Sequence, residues 1–251
     1  MRIQKHKGLT VIRYGDNKAM ALLTMTVLCL MASGTAFAQK GEKERDRVKD
    51  AGYVMKELLK ARPGIPTSVL NKAECVIVLP SMRKAGFILA GSYGRGVMTC
   101  RTGEEFSGPW SAPTMMQSSG GSFGFQAGGQ STDMVVLVMN ERGGRALMKG
   151  KAKLGADASV AAGPFGRNAE ASTNAAMNAE MLSYSRAQGI FLGASLSGAS
   201  LGPDSGANEN LYGKKVTATQ IIEQGVVQTP ASANGLLKIL TEKSPQKASS
   251  L

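Results

Sequence analysis

Residues 120–167 read GGSFGFQAGGQSTDMVVLVMNERGGRALMKGKAKLGADASVAAGPFGR, and this stretch decides the fold class. Its most apolar part, residues 134–139, is rich in β-branched side chains and predicts a central strand. Residues 141–149 follow as a short helix candidate, and glycines punctuate the rest. Apolar runs this short and this closely spaced indicate antiparallel strands, because parallel strands need long crossover connections.

Further short apolar runs lie on both sides of this stretch, at residues 75–79, 87–90, 96–100, 115–117, 122–127, 156–162, 180–185 and 190–197. Helical spacing is found towards the two ends of the chain, at residues 40–62, 67–73, 219–223 and 235–242. We therefore predict one α+β domain over residues 50–242, with a glycine-rich antiparallel sheet or barrel-like layer and flanking helices. Residues 243–251 are predicted to be a frayed tail.

The N-terminal residues have the three-part pattern of a secretory signal peptide. Residues 1–18 carry five bases against one acid, residues 19–38 are uncharged, and the stretch ends in Ala36-Phe37-Ala38. We predict a signal peptide over residues 1–38, cleaved between Ala38 and Gln39. The protein is then exported to the periplasm or secreted, and is peripheral to the membrane. The alternative is a single membrane anchor, since the uncharged stretch is just long enough to span a bilayer.

The charge balance points to anionic partners. The chain has 30 Lys and Arg against 18 Asp and Glu, a net charge of +12. Removing residues 1–38, with their five bases and one acid, leaves a net charge of +8. An excess of this size attracts anionic surfaces such as lipid head groups or acidic proteins.

Two groups of basic residues are the candidate binding residues. The first lies in an amphipathic helical segment, residues 39–62, whose apolar side comprises Val48, Ala51, Met55, Leu58 and Leu59. This segment has two open interpretations: it packs on the sheet, or it lies in a membrane interface. The second group surrounds residues 141–149, and is either a solvated face or an anion-binding patch. The predicted lipid-binding residues are Lys43, Arg45, Arg47, Lys49, Lys56, Lys60, Arg62, Arg142, Arg145, Lys149, Lys151 and Lys153.

Cysteine and histidine usage restricts the possible chemistry. Cys75 and Cys100 lie at the edges of two apolar runs, and export permits a disulfide between them. Two buried free thiols are the alternative. The only histidine, His6, lies in the predicted signal peptide, so the mature chain lacks the commonest general base and metal ligand. We expect no metal, no cofactor and no enzymatic activity.

Two motifs resemble catalytic signatures of serine enzymes. Residues 120–124, GGSFG, match a nucleophile elbow around Ser122, but no histidine is available to take the serine proton. Residues 81–84, SMRK, match an S-x-x-K pattern around Ser81, but they follow a proline and precede a strand rather than opening a helix. We interpret the first as a hairpin corner and the second as a basic turn, with a serine hydrolase as the less favoured alternative.

Other polar residues stand out by their context. Residues 91–96, GSYGRG, superficially resemble a phosphate loop but are predicted to be a β-turn in which Tyr93 and Arg95 are exposed to a ligand. Asp133 and Asp157 are predicted to accept hydrogen bonds from turn amides rather than to form a metal-binding pair.

Ordered segments along the chain resemble the SYLF lipid-binding domain family, also known as the actin-binding domain of the yeast actin-patch type. The segments are residues 65–66, 84–97, 110–113, 120–124, 131–133, 139–140, 153–159, 162–164, 183–186 and 212–214. The resemblance covers about residues 50–225, and the signal-peptide pattern makes the chain similar to an exported bacterial branch of the family.

The resemblance implies a non-enzymatic domain of the cell envelope that binds anionic phospholipids of the phosphoinositide type, helped by the basic N-terminal segment. As the alternative, it implies a protein-interaction module that binds actin, actin-like filaments or another acidic protein. No nucleic-acid partner is expected.

Overall fold

The computed structural model describes residues 41–61, 64–86, 89–123, 128–150, 152–164, 178–187, 190–193 and 198–245. The predicted signal peptide, residues 1–38, and its cleavage site between Ala38 and Gln39 lie outside these residues. Arg62 and Lys151 also lie outside them. No helix among the described residues is long and apolar enough to cross a bilayer.

The described part of the chain contains six α-helices, nine strands and two short 3₁₀ helices, Glu104–Phe106 and Ala231–Ala233. The helices are α1 Glu42–Lys60, α2 Thr67–Leu70, α3 Glu141–Lys149, α4 Ser205–Tyr212, α5 Ala218–Ile222 and α6 Asn234–Lys243. The strands are β1 Cys75–Gly86, β2 Leu89–Cys100, β3 Thr114–Phe123, β4 Gly128–Val138, β5 Ala152–Lys153, β6 Val160–Ala162, β7 Met181–Ala187, β8 Ile190–Gly193 and β9 Ala199–Pro203. The predicted α+β class with flanking helices is confirmed.

The strands form one sheet in the order β5-β9-β3-β2-β1-β4-β7-β6, with β8 paired to β7. Every pair is antiparallel except β6–β7, which is parallel. The antiparallel sheet predicted from the short apolar runs is therefore correct. The central strand expected at residues 134–139 is the end of β4, which pairs with β1 and β7.

The sheet is curled, because its two ends are joined by a short piece of chain. The end strands β5 and β6 are separated only by residues 154–159. Eight strands laid flat would extend about 34 Å across, whereas the link from Lys153 to Val160 spans at most about 25 Å. Residue 154 bonds to β9 through the Leu154 amide and the Ala199 carbonyl, 2.8 Å apart, and Ser159 accepts the Met181 amide of β7 at 3.0 Å.

Both faces of the sheet are covered by helices. Val76 and Val78 of β1 belong to an apolar cluster that includes residues of α1, α2, α4 and α6. The intervening Ile77 and Leu79 belong to a second cluster, on the other face, that includes residues of α3 and α5. Two-sided burial explains why the central strands read as continuous apolar runs instead of alternating with polar residues.

Helix α1 packs its apolar side on the sheet. Val48, Ala51, Met55 and Leu58 are fully buried. Gly52 allows α1 to approach the start of α6 closely, since a Cβ there would lie 2.9 Å from the Leu236 nitrogen. The structure thus agrees with the first interpretation of this segment, in which it packs on the sheet.

Three predicted turns are parts of strands. Residues 81–84 lie in β1, which continues through Pro80 by an irregularity at which its register shifts against both β2 and β4. Residues 91–96 lie within β2, and Ser122 lies near the end of β3. These predictions were wrong because a bulge lets a strand continue across a proline and because glycines permit close strand packing.

A disulfide joins the two central strands β1 and β2. Cys75 and Cys100 are register partners, and their sulfur atoms are bonded. Both residues are fully buried. The predicted pairing of these two cysteines is present in the structure.

The C-terminal end of α6 is held by a buried arginine. Arg101 donates from Nη2 to the Ser244 carbonyl oxygen at 3.0 Å and to its Oγ at 2.6 Å, and its guanidinium lies 4.4 Å from the Trp110 ring centroid. Burial lowers the pKa of Arg101 from its ordinary value. Ser244 is itself fully buried. The prediction of a frayed tail over residues 243–251 therefore placed the start of the tail too early.

We expect Gly96→Ala to destabilise the fold. A Cβ at this position would lie 1.9 Å from the Val78 carbonyl oxygen and 2.8 Å from the Leu79 Cα, both backbone atoms of β1. Overpacking against atoms that cannot move aside should lower the free energy of unfolding by about 2–3 kcal/mol. Gly91 in the same strand is the matched control, since a Cβ there meets nothing within 4 Å. Equal urea midpoints for the two alanine variants would contradict this packing.

We expect reduction of the disulfide to lower the free energy of unfolding by about 3–4 kcal/mol, from the chain-entropy model for a loop of this length. Urea unfolding with and without reductant measures the effect, and the double variant Cys75→Ala, Cys100→Ala should be insensitive to reductant. In the full chain, which has three cysteines, at most the thiol of Cys29 should react in the denatured, unreduced protein. Three reactive thiols would show that the bond is absent.

Candidate functional site

The predicted basic residues of α1 differ in how far they are buried. Lys43, Lys49, Lys56 and Lys60 are exposed, whereas Arg45 and Arg47 are partly buried. Lys49 contacts Asp46 at 3.0 Å, a pair so exposed that it contributes little. The exposed lysines are therefore available to an anionic partner.

Helix α3, which carries Arg142, Arg145 and Lys149, packs on the opposite face of the sheet. Arg142 contacts Glu180 at 3.4 Å, and Arg145 contacts Glu141 and, at 3.6 Å, Glu223. Lys149 and Lys153 are exposed. The structure thus separates the two predicted groups, and acidic residues already neutralise the arginines of the second.

A cleft with more basic than acidic residues lies where α1 passes beside β1 and β2. We call it the basic cleft. Its volume is about 430 Å³. Four cations and two acids line it, together with a tyrosine and small residues, namely Lys43, Asp46, Arg47, Asp50, Pro80, Ser81, Arg83, Tyr93, Gly94 and Arg95.

Two kinds of secondary structure set the spacing of the cations in the basic cleft. Lys43 and Arg47 are one helical turn apart on α1, about 6 Å along its axis. On the sheet side, Arg83 of β1 is the register partner of Tyr93 of β2, and Arg95 follows two residues later on the same face. Each side of the basic cleft therefore carries two cations.

Arg95 is held in place by its neighbours. Its Nε lies 3.3 Å from Oδ2 of Asp204, and its guanidinium lies 5.8 Å from the Tyr93 ring centroid. Tyr93 is 48% exposed. The prediction that Tyr93 and Arg95 are open to a ligand is confirmed as far as their exposure is concerned.

Unusual backbone and a polar network border the basic cleft at Ser81. This residue has φ 51°, in the left-handed region that non-glycine residues rarely adopt. Its amide donates to Asp133 Oδ1 at 3.0 Å, and Asp133 Oδ2 accepts from Arg186 at 2.7 Å.

Asp157 likewise accepts the Lys153 amide at 2.7 Å. Both aspartates thus bond backbone amides, as predicted.

Three cations of the basic cleft lack an acidic partner. Among the described residues, Lys43, Arg47 and Arg83 form no ion pair. Nη1 of Arg47 is buried and has no hydrogen-bond partner among them. A buried guanidinium nitrogen without an acceptor costs free energy. Three cations without an acidic partner also leave the basic cleft with a positive potential, which favours an anionic ligand.

Sequence reasoning included Lys43 and Arg47 among the candidates but missed Arg83. In the sequence, Arg83 belongs only to the S-x-x-K pattern. The residues around it do not indicate that β1 and β2 bring Arg83 beside α1. The side chain of Ser122 lies outside the described residues, and Ser81 bonds Asp133 through its amide, not its hydroxyl. Within the described residues, no cluster of three or more His, Cys, Asp or Glu residues is placed to hold a metal ion.

The chain is similar to proteins that are described as actin regulators. Residues 119–243 match the Ysc84 family, described as Las17-binding protein actin regulator. An SH3 domain-containing protein of Schizosaccharomyces pombe is 35% identical over 208 residues, which cover 79% of this chain and 47% of that protein. Protein YSC84 of Saccharomyces cerevisiae is 32% identical over 208 residues, covering 79% of this chain and 43% of that protein.

A third relative, SH3 domain-containing YSC84-like protein 1 of Mus musculus, is 33% identical over 209 residues, which cover 79% of this chain and 60% of that protein. The chain therefore spans about half the length of the curated relatives that it matches. These relatives are fungal and mammalian, so they do not support the predicted placement in an exported bacterial branch. The family resemblance itself is confirmed: the chain belongs to the Ysc84 family.

Proposed function

We propose that this protein is a non-catalytic binding module whose partner is actin, an actin-like filament or a protein that regulates one. The similarity to relatives carries this proposal. The family is described as Las17-binding and actin-regulating, and another relative is LAS seventeen-binding protein 3 of Saccharomyces cerevisiae, 32% identical over 182 residues. The proposal assigns binding to the part of those longer proteins that this chain shares.

The basic surface gives this module a means of binding an acidic protein. The exposed lysines Lys49, Lys56 and Lys60 lie along one side of α1. Charges of one sign concentrated on one side of a protein raise its rate of association with an oppositely charged partner. Salt should therefore weaken the interaction.

We expect the full chain to co-sediment with actin filaments in low salt, to saturate, and to be released as salt increases. A second arm measures binding to immobilised Las17, the protein for which the relatives are named. An unrelated protein of similar net charge is the control for nonspecific electrostatic binding. The proposal would be overturned if the chain bound neither the filaments nor Las17. Covalent labelling of Ser81 or Ser122 by a serine-directed probe would also contradict it, because the module is proposed to be non-catalytic.

A second candidate function is peripheral binding to anionic lipid, favoured by the exposed row of Lys49, Lys56 and Lys60 on α1. The apolar side of α1 is buried in the domain, so this binding would rest on charge alone. We propose it for an exported form of the protein at the cell envelope.

We expect vesicles that contain phosphatidylserine to bind the protein and neutral vesicles not to bind it. Replacing Lys49, Lys56 and Lys60 together by Gln should weaken vesicle binding about a hundredfold, since each lysine near an anionic bilayer contributes about 1 kcal/mol. We use point variants because deleting α1 would expose the core. The matched control is Gln at Lys149, Lys153 and Lys215, exposed residues outside α1. Equal losses in the two triple variants would exclude α1 as the lipid-facing surface.

A further inference from the structure

We propose that the basic cleft binds an extended acidic segment of a protein, with consecutive Asp or Glu residues. This site is separate from the exposed lysine row of α1, and the proposal does not depend on filament or lipid binding. The argument rests on unpaired charge, on spacing and on the shape of the basic cleft.

The first observation is the unpaired charge. Lys43, Arg47 and Arg83 have no acidic partner within the described part of the chain, and the buried Nη1 of Arg47 has no acceptor. Arg95 is positioned by Asp204 and Tyr93 while 43% of its side chain stays exposed. Guanidinium groups that are held in place recognise carboxylates through paired hydrogen bonds.

The second observation is the spacing of the cations. Lys43 and Arg47 are about 6 Å apart along α1, and Arg83 and Arg95 are diagonal neighbours on β1 and β2, about 7–8 Å apart. In an extended peptide, alternate side chains point the same way and are about 6.6 Å apart. A run of consecutive acids would therefore direct every second carboxylate to α1 and the others to the sheet.

The third observation separates a peptide from a membrane surface. Asp46 and Asp50 line the α1 side of the basic cleft beside the cations. A flat anionic surface would meet these carboxylates together with the cations, whereas the side chains of a single chain can contact the cations one by one. Tyr93 supplies an exposed aromatic face for the apolar part of such a chain.

The backbone at Ser81 supports the assignment. A non-glycine residue at φ 51° is held in a costly conformation, and such residues concentrate at ligand-binding positions. Here the conformation is maintained by Asp133, which is itself paired with Arg186. The structure thus holds the Pro80–Ser81 bulge open at the edge of the basic cleft.

The test uses fluorescence anisotropy with the full chain and a labelled peptide Ser-Ser-Glu-Glu-Glu-Glu-Ser-Ser. We expect it to bind more tightly than the peptide of equal charge Glu-Ser-Glu-Ser-Glu-Ser-Glu-Ser, whose carboxylates all point to one side. The Gln-containing analogue should not bind. Arg83→Gln and Lys43→Gln should each weaken binding roughly fivefold, as expected for a partly exposed charge-assisted contact.

Lys149→Gln and Lys153→Gln are the matched controls, with the same charge change at exposed residues outside α1, β1 and β2, and should leave peptide binding unchanged. Equal losses in cleft and control variants would overturn the proposal. So would equal affinity for the two acidic peptides. Competition by inorganic phosphate at matched ionic strength, or loss of vesicle binding rather than peptide binding in Arg83→Gln, would assign the basic cleft to a phosphate group instead. Co-sedimentation of Arg83→Gln with actin filaments is measured in parallel. A loss of acidic-peptide binding can then be told apart from a failure of the proposed function.

Discussion

The burial of both faces of the central strands is the constraint on which the rest of the structure depends. Alternate residues of β1 enter two separate apolar clusters, so neither face of the sheet can be left to solvent. Helices must therefore cover both faces, and the positions of α1 and α3 follow from this need. The disulfide between Cys75 and Cys100 holds β1 and β2 together at the same place.

This constraint also decides how α1 can act. Each large apolar side chain that α1 buries contributes about 1.5–3 kcal/mol, and the helix covers Val76 and Val78 of the sheet. Moving α1 into a membrane interface would leave that face of the sheet in water, even if the helix found an apolar environment of its own. Its outward-facing charges, not its apolar side, are what a partner meets.

The basic cleft arises where two-sided burial is interrupted. At Pro80 and Ser81, β1 shifts its register, and beyond this point Arg83 lies on its surface, exposed beside α1. Bulges commonly re-aim side chains at the margins of sheets. Beyond the irregularity, β1 therefore forms one side of the basic cleft, while the apolar half of the same strand remains in the core.

The sequence by itself determined the α+β class, the antiparallel sheet and the extent of α3, because apolar runs and helical spacing are local signals. It predicted the pairing of Cys75 and Cys100 but left two free thiols as the alternative. It also indicated that Tyr93 and Arg95 are exposed. It did not show that β1 continues through Pro80, that Arg101 is buried against Ser244, or that Arg83 lies beside Arg47. Those relations join residues far apart in the chain, and only packing brings them together. The tertiary structure alone therefore decided which of the many basic residues share one surface.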